Sequence, residues 1–60
     1  MATAACNFVV YRGAEQRRLS VKKGEELTII KEDFGGLTQV KILEGEAEGL
    51  ITTIDSKLIL

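Results

Sequence analysis

The sequence predicts an all-β fold, a small antiparallel barrel or sandwich, on three observations. The first is the stretch from Leu19 to Ile30, where Leu19 and Val21 alternate with Ser20 and Lys22, and Leu27 and Ile29 alternate with Glu26 and Thr28. That is the period-2 pattern of two half-buried strands, set around the charged turn Lys22-Lys23-Gly24-Glu25. The second is a regular series of short apolar runs divided by turn signals, with no proline anywhere in the chain. The third is a hydrophobic fraction of 45% carried largely by Val, Ile and Leu, enough to fill one small β-type core in 60 residues.

Taken in order, residues 1–6 are small and unpatterned and read as a disordered lead-in, leaving residues 7–60 as the domain. Asn7-Phe8-Val9-Val10-Tyr11 is rich in β-branched and aromatic residues and reads as the first strand. Arg12 to Arg18 has no apolar period and reads as a polar loop; Gly13 and the lack of an apolar stripe argue against a helix there. The Leu19–Ile30 strand pair follows as a hairpin with a tight diverging turn. Gly24 supplies the positive φ that the turn needs.

Lys31 to Gly36 reads as a second loop with Gly35-Gly36 as its turn signal. Leu37 to Leu43 alternates again, with Val40 and Ile42 inward. The acidic, glycine-bounded run Glu44 to Gly49 connects to a short strand, Leu50 to Thr53. One irregular turn at Ile54 to Lys57 precedes a closing strand, Leu58 to Leu60.

Composition excludes several functions. Cys6 is the only cysteine and there is no histidine, so neither an internal disulfide nor a Cys/His metal set can form. Without a base to activate it, Cys6 reads as an ordinary apolar residue, and no catalytic carboxylate pair, nucleophile–base set or phosphate-cradling glycine loop is present. The expectation is a nonenzymatic domain without cofactor or metal. The formal charge of −1, with 8 basic and 9 acidic residues interspersed, argues against nucleic acid or anionic membrane as a partner. No apolar run is long enough to span a membrane, and the first residues lack the pattern of a signal peptide. A cytoplasmic setting is expected, with the chain as one monomeric module of a longer protein.

The order of features resembles a Src-homology 3 (SH3) domain over nearly the whole chain from residue 7. Leu19-Ser20-Val21-Lys22-Lys23-Gly24-Glu25-Glu26-Leu27-Thr28-Ile29-Ile30 follows the family pattern Leu-Ser-Phe-x-x-Gly-Asp/Glu-x-Leu-x-Ile/Val-Ile/Val. Gly49-Leu50-Ile51-Thr52 echoes its Gly-Tyr/Trp-Ile/Val-Pro segment at a fitting separation. The resemblance implies a five-stranded SH3-like barrel of two orthogonal antiparallel sheets, with an RT loop at 12–18, an n-Src loop at 31–36 and a distal hairpin at 44–48. The end Glu46 to Ile51 is also similar to SH3 domains of large Rho-family exchange factors, which implies a signalling or cytoskeletal parent protein.

The family's usual ligand is a proline-rich peptide laid on a floor of aromatic rings, with an acidic RT loop pairing a basic ligand residue. This sequence departs from that pattern. Tyr11 is the one ring offered by the first strand, Leu37 stands for the groove tryptophan, and Thr52 stands for the groove proline. No aromatic occurs among Ile54 to Leu58, and Arg17 and Arg18 occupy the acidic end of the loop. A basic ligand there would meet like charge.

The expected binding face is Tyr11, Arg17, Arg18, Phe34, Leu37, Leu50 and Thr52, and each has a plainer reading beside the functional one. Tyr11 also fits a strand aromatic, Phe34 a cap folded over the barrel end, Leu37 a space-filler, and the arginines a solvated loop. Arginine forks alternatively suit an anionic peptide. The function implied is a noncatalytic protein–protein interaction module binding a partner other than a Pro-x-x-Pro peptide, or a partner in its own parent chain. The alternatives are weak proline-rich peptide binding and purely structural packing between domains.

Overall fold

The computed structural model describes residues 2–60, Asp33 through its backbone alone. Its strands are β1 (Ala2–Thr3), β2 (Phe8–Arg12), β3 (Arg17–Val21), β4 (Glu26–Phe34), β5 (Leu37–Ile42) and β6 (Ile51–Asp55), followed by a 3-10 turn at Ser56–Leu58. They form two antiparallel sheets, one four-stranded in the order β1-β4-β5-β6 and one two-stranded from β2 and β3. The chain is therefore all-β, with six strands in place of the five expected and neither sheet closed on itself.

The Leu19–Ile30 stretch is not a hairpin of two paired strands. β3 pairs with β2 in one sheet and β4 with β5 in the other, so the turn between them passes the chain from sheet to sheet. Gly24 turns at φ 92°, Glu25 N–H donates to Lys22 O at 3.1 Å, and Lys22 N–H donates to the Glu25 carboxylate at 3.0 Å. The alternation foreseen for the core holds at Leu19, Val21, Leu27, Val40 and Ile42, all buried in one cluster with Val10 and Ile54. It stops at Ile29, which is 39% exposed although its cross-strand partner Val40 is buried.

Residues 2–5 are not a loose lead-in; Met1 lies outside the described residues. Ala2 and Thr3 pair with Leu27 and Glu26, and Ala4 is buried and bridges to Ile59. Ala4 also exchanges backbone hydrogen bonds with the diverging turn, to Glu25 O and from Gly24 N–H, both at 2.9 Å. Ala5 N–H donates to Leu58 O and Leu60 N–H to Thr3 O, each at 2.8 Å, so the two ends of the chain run side by side. The closing segment makes this bridge at Ile59 rather than a full strand. Small side chains suit this place because the diverging turn and the chain end both approach the backbone of residues 3–5 closely. Cys6, beside them, is exposed and not part of the core.

Both expected loops are shorter than the sequence suggests. The 12–18 loop shrinks to a turn at 13–16, since β2 and β3 stay in register out to Arg12 opposite Arg17. Backbone pairing continues past the last buried pair, Val10 and Leu19, because exposed arginine stems cost the ladder little. The 31–36 loop shrinks to Gly35-Gly36, whose φ angles of 64° and 82° are those of a type I′ hairpin turn. Lys31, Glu32 and Asp33 lie within β4, where two register shifts against β5 leave extra residues on this strand.

The connection between β5 and β6 folds back over the core. Ala47 is fully buried, and Gly49 N–H donates to Ile42 O at 2.7 Å. Beyond β6, Asp55 accepts from Lys57 N–H at 2.9 Å and caps the 3-10 turn. The buried hydroxyl of Thr38 lies 2.7 Å from that of Ser56, tying β5 to the turn. Among the described residues no buried side-chain oxygen or nitrogen lacks a partner.

Candidate functional site

Strand phase decides what each predicted site residue can reach. Along β5, Thr38, Val40 and Ile42 point inward, so Leu37, Gln39 and Lys41 face out. In β6 the outward set is Ile51, Thr53 and Asp55. The register places Phe34 beside Leu37 and Leu37 beside Asp55, a row across three strands at one end of the sheet. Phe34 and Leu37 are 41% and 42% exposed, and the Lys31 ammonium sits 5.0 Å from the centroid of the Phe34 ring, within cation–π range. An apolar pair is thus held on a tight hairpin between a cation and a carboxylate. Phe34 lies on this outer surface and is not a cap over the core.

Thr52 is half-buried on the inward-facing side of β6, opposite Val40. Leu50 packs against the core, its carbonyl accepting from Ile42 N–H at 2.9 Å. Ile42 is five residues along β5 from Leu37, roughly 16 Å at strand rise. Leu37 and Leu50 therefore do not share one small apolar patch. Ile51, next in sequence and 54% exposed, was not singled out from sequence. The phase set by Val40 and Ile42, carried across a register the sequence does not specify, is what turns Ile51 outward.

Tyr11, Arg17 and Arg18 lie on the β2–β3 hairpin. Tyr11 is 53% exposed and stands opposite Arg18 on the face turned from the core. Arg17 stands directly opposite Arg12 on the other face, beyond Val10 and Leu19. Arg12, Gly13, Ala14, Glu15 and Arg17 line an open recess around the turn. Among the described residues, no ion pair engages Arg12, Arg17 or Arg18. Like charges directly opposed across strands are destabilising by about 0.2–1 kcal/mol. Arg17→Gln should accordingly raise the melting temperature by a few degrees for so small a domain, with the gain shrinking as salt screens the pair. Thermal melts at low and high ionic strength check this.

The seven expected contact residues thus divide into two exposed groups and two residues packed toward the core. No group of three His, Cys, Asp or Glu side chains among the described residues is placed to hold a metal ion. These features define a small all-β domain of two sheets with apolar and basic surfaces on separate hairpins. No protein-family model, curated protein or solved structure matches the chain.

Proposed function

We propose that this chain is a noncatalytic protein-interaction module with an SH3-like fold and a remodelled groove, part of a larger cytoplasmic signalling or cytoskeletal protein. Three features support the SH3-like reading. The turn at 22–25 parts two strands into different sheets, a 3-10 turn follows the last strand, and the chain end returns beside residues 3–5. These connections are compatible with a five-stranded barrel of two orthogonal sheets, although six strands are delimited and neither sheet closes on itself.

The observation that carries the functional reading is the Phe34–Leu37 pair. Two large apolar side chains stay exposed on either side of a two-residue turn, with Lys31 and Asp55 flanking them. Such an anchor with polar neighbours is the composition of an interface centre. It offers one ring, not the run of flat rings that grips a polyproline helix. The partner is a folded surface or a peptide without the Pro-x-x-Pro pattern, in another protein or elsewhere in the parent chain.

Amide-resolved NMR tests this. Pro-x-x-Pro peptides titrated into the 60-residue chain should give no saturable shifts below about 1 mM. Joining the domain to its parent protein should shift Lys31, Phe34, Leu37 and Asp55. Micromolar binding of a proline-rich peptide centred on Tyr11 and Leu37 would establish an ordinary SH3 groove instead. Spectra identical in the isolated and joined forms would exclude a dock within the parent chain.

A further inference from the structure

We propose that the tip of the β2–β3 hairpin is a docking site for a carboxylate-rich extended segment of a partner protein. The inference rests on the reading of the chain as an interaction module but uses a different surface from the Phe34–Leu37 pair. Three arginines occur in the chain, Arg12, Arg17 and Arg18, and all of them lie here, while the lysines lie elsewhere. Arg12 and Arg17 are direct cross-strand partners, both exposed, and Arg18 is next to them on the opposite face beside Tyr11. Two like charges fixed side by side with, among the described residues, an ion pair to neither are a local conflict in the folded state, which Glu15, the one carboxylate lining the recess, does not bridge. An anion bound between them would remove it.

The chemistry favours carboxylates on a peptide. A guanidinium presents a planar fork that meets a carboxylate through two parallel hydrogen bonds, which a lysine cannot do. Cross-strand pairing holds the two α-carbons about 5 Å apart, near the spacing of roughly 7 Å between alternate residues of an extended ligand. An acidic-x-acidic segment would set one carboxylate against each arginine. Gly13 and Ala14 at the turn leave room for its backbone. A nucleic-acid strand fits less well, since Tyr11 is the lone ring nearby, Glu15 sits in the recess and the net charge is −1. A membrane surface asks for a larger basic cluster than three side chains.

The probe is an acetylated, amidated peptide of three Glu-Ser repeats, with the Gln-Ser peptide as control. It is titrated into the 60-residue chain at low salt, following the arginine Nε–Hε signals and the amides of residues 11–18. Saturable shifts confined to that segment are expected with the glutamate peptide and none with the glutamine one. Arg12→Gln with Arg17→Gln should weaken binding about tenfold or more, while Phe34→Ser with Leu37→Ser should leave it unchanged. Retained amide dispersion shows that each variant is folded. No saturation, shifts spread over the lysines, or undiminished binding by the arginine variant would overturn the proposal. So would an oligonucleotide or phosphatidylserine vesicle that takes the same arginines at least as tightly at matched charge. If only the glutamate peptide fails while the Phe34–Leu37 surface still responds in the parent protein, the module reading stands and this site does not.

Discussion

Leu27→Ala should cost about 2–5 kcal/mol, the range for removing three carbons from a filled core. Leu27 is 1% exposed and sits where β4 has a partner on each side, Ala2 on one and Ile42 on the other. Its side chain therefore joins the edge strand, the central strands and the buried β2–β3 face. A domain of 60 residues has a total stability of roughly 3–9 kcal/mol at 0.05–0.15 kcal/mol per residue. The lower half of that range is consumed outright, so a large unfolded fraction at 25 °C is expected. Urea unfolding followed by circular dichroism measures it. Leu27→Met, nearly equal in volume, should lose less than about 1.5 kcal/mol. Ile30→Ala, on the same strand but half-exposed, should lose far less than Leu27→Ala. Equal losses at Leu27 and Ile30 would mean that the inward phase of β4 has been assigned wrongly.

What the sequence made legible was the part of the fold governed by local alternation. Leu19, Val21, Leu27 and Val40 declare their face because polar neighbours flank them, Ile42 continues the phase of Val40, and all are buried. Burial at the chain start was not legible in the same way. Ala4 is buried by partners far along the chain, Gly24, Glu25 and Ile59, and a run of small residues carries no period to announce that. The length of β4 was hidden too, since Lys31-Glu32-Asp33 reads as loop. A bulged strand beyond the core can carry charge without penalty.

The candidate surfaces divide along the same line. The exposure of Leu37 follows from the phase of Val40 and Ile42, because a period of two leaves no choice. Phe34 meets it because two glycines permit a two-residue turn. The opposition of Arg12 to Arg17 depends on cross-strand register, and register depends on which turn the residues between them adopt. Gly13 and Gln16 take positive φ and fix it. The sequence showed a basic cluster there, but not that two of its members are locked face to face.

Ala47→Glu should be the most damaging single change in the β5–β6 connection, although the sequence around it is Glu-Gly-Glu-Ala-Glu-Gly. By composition one more glutamate would pass unnoticed. Ala47 is fully buried, however, and its carbonyl accepts from Leu50 N–H at 3.0 Å, which fixes the loop against the sheet. A carboxylate forced into that site must stay uncharged, find a partner or pull the loop away from the core. A loss above about 4 kcal/mol is expected, close to the whole stability of the domain. Ala47→Leu separates charge from volume, and overpacking alone should cost about 1–3 kcal/mol. Glu46→Ala and Glu48→Ala, on exposed neighbours, should stay within about 0.5 kcal/mol of the parent sequence. The expected order in chemical unfolding midpoints is thus Glu48→Ala, then Ala47→Leu, then Ala47→Glu, from most to least stable. Should Ala47→Leu unfold together with Glu48→Ala, the connection does not fold back over the core as described, and Ala47 does not fill a buried site.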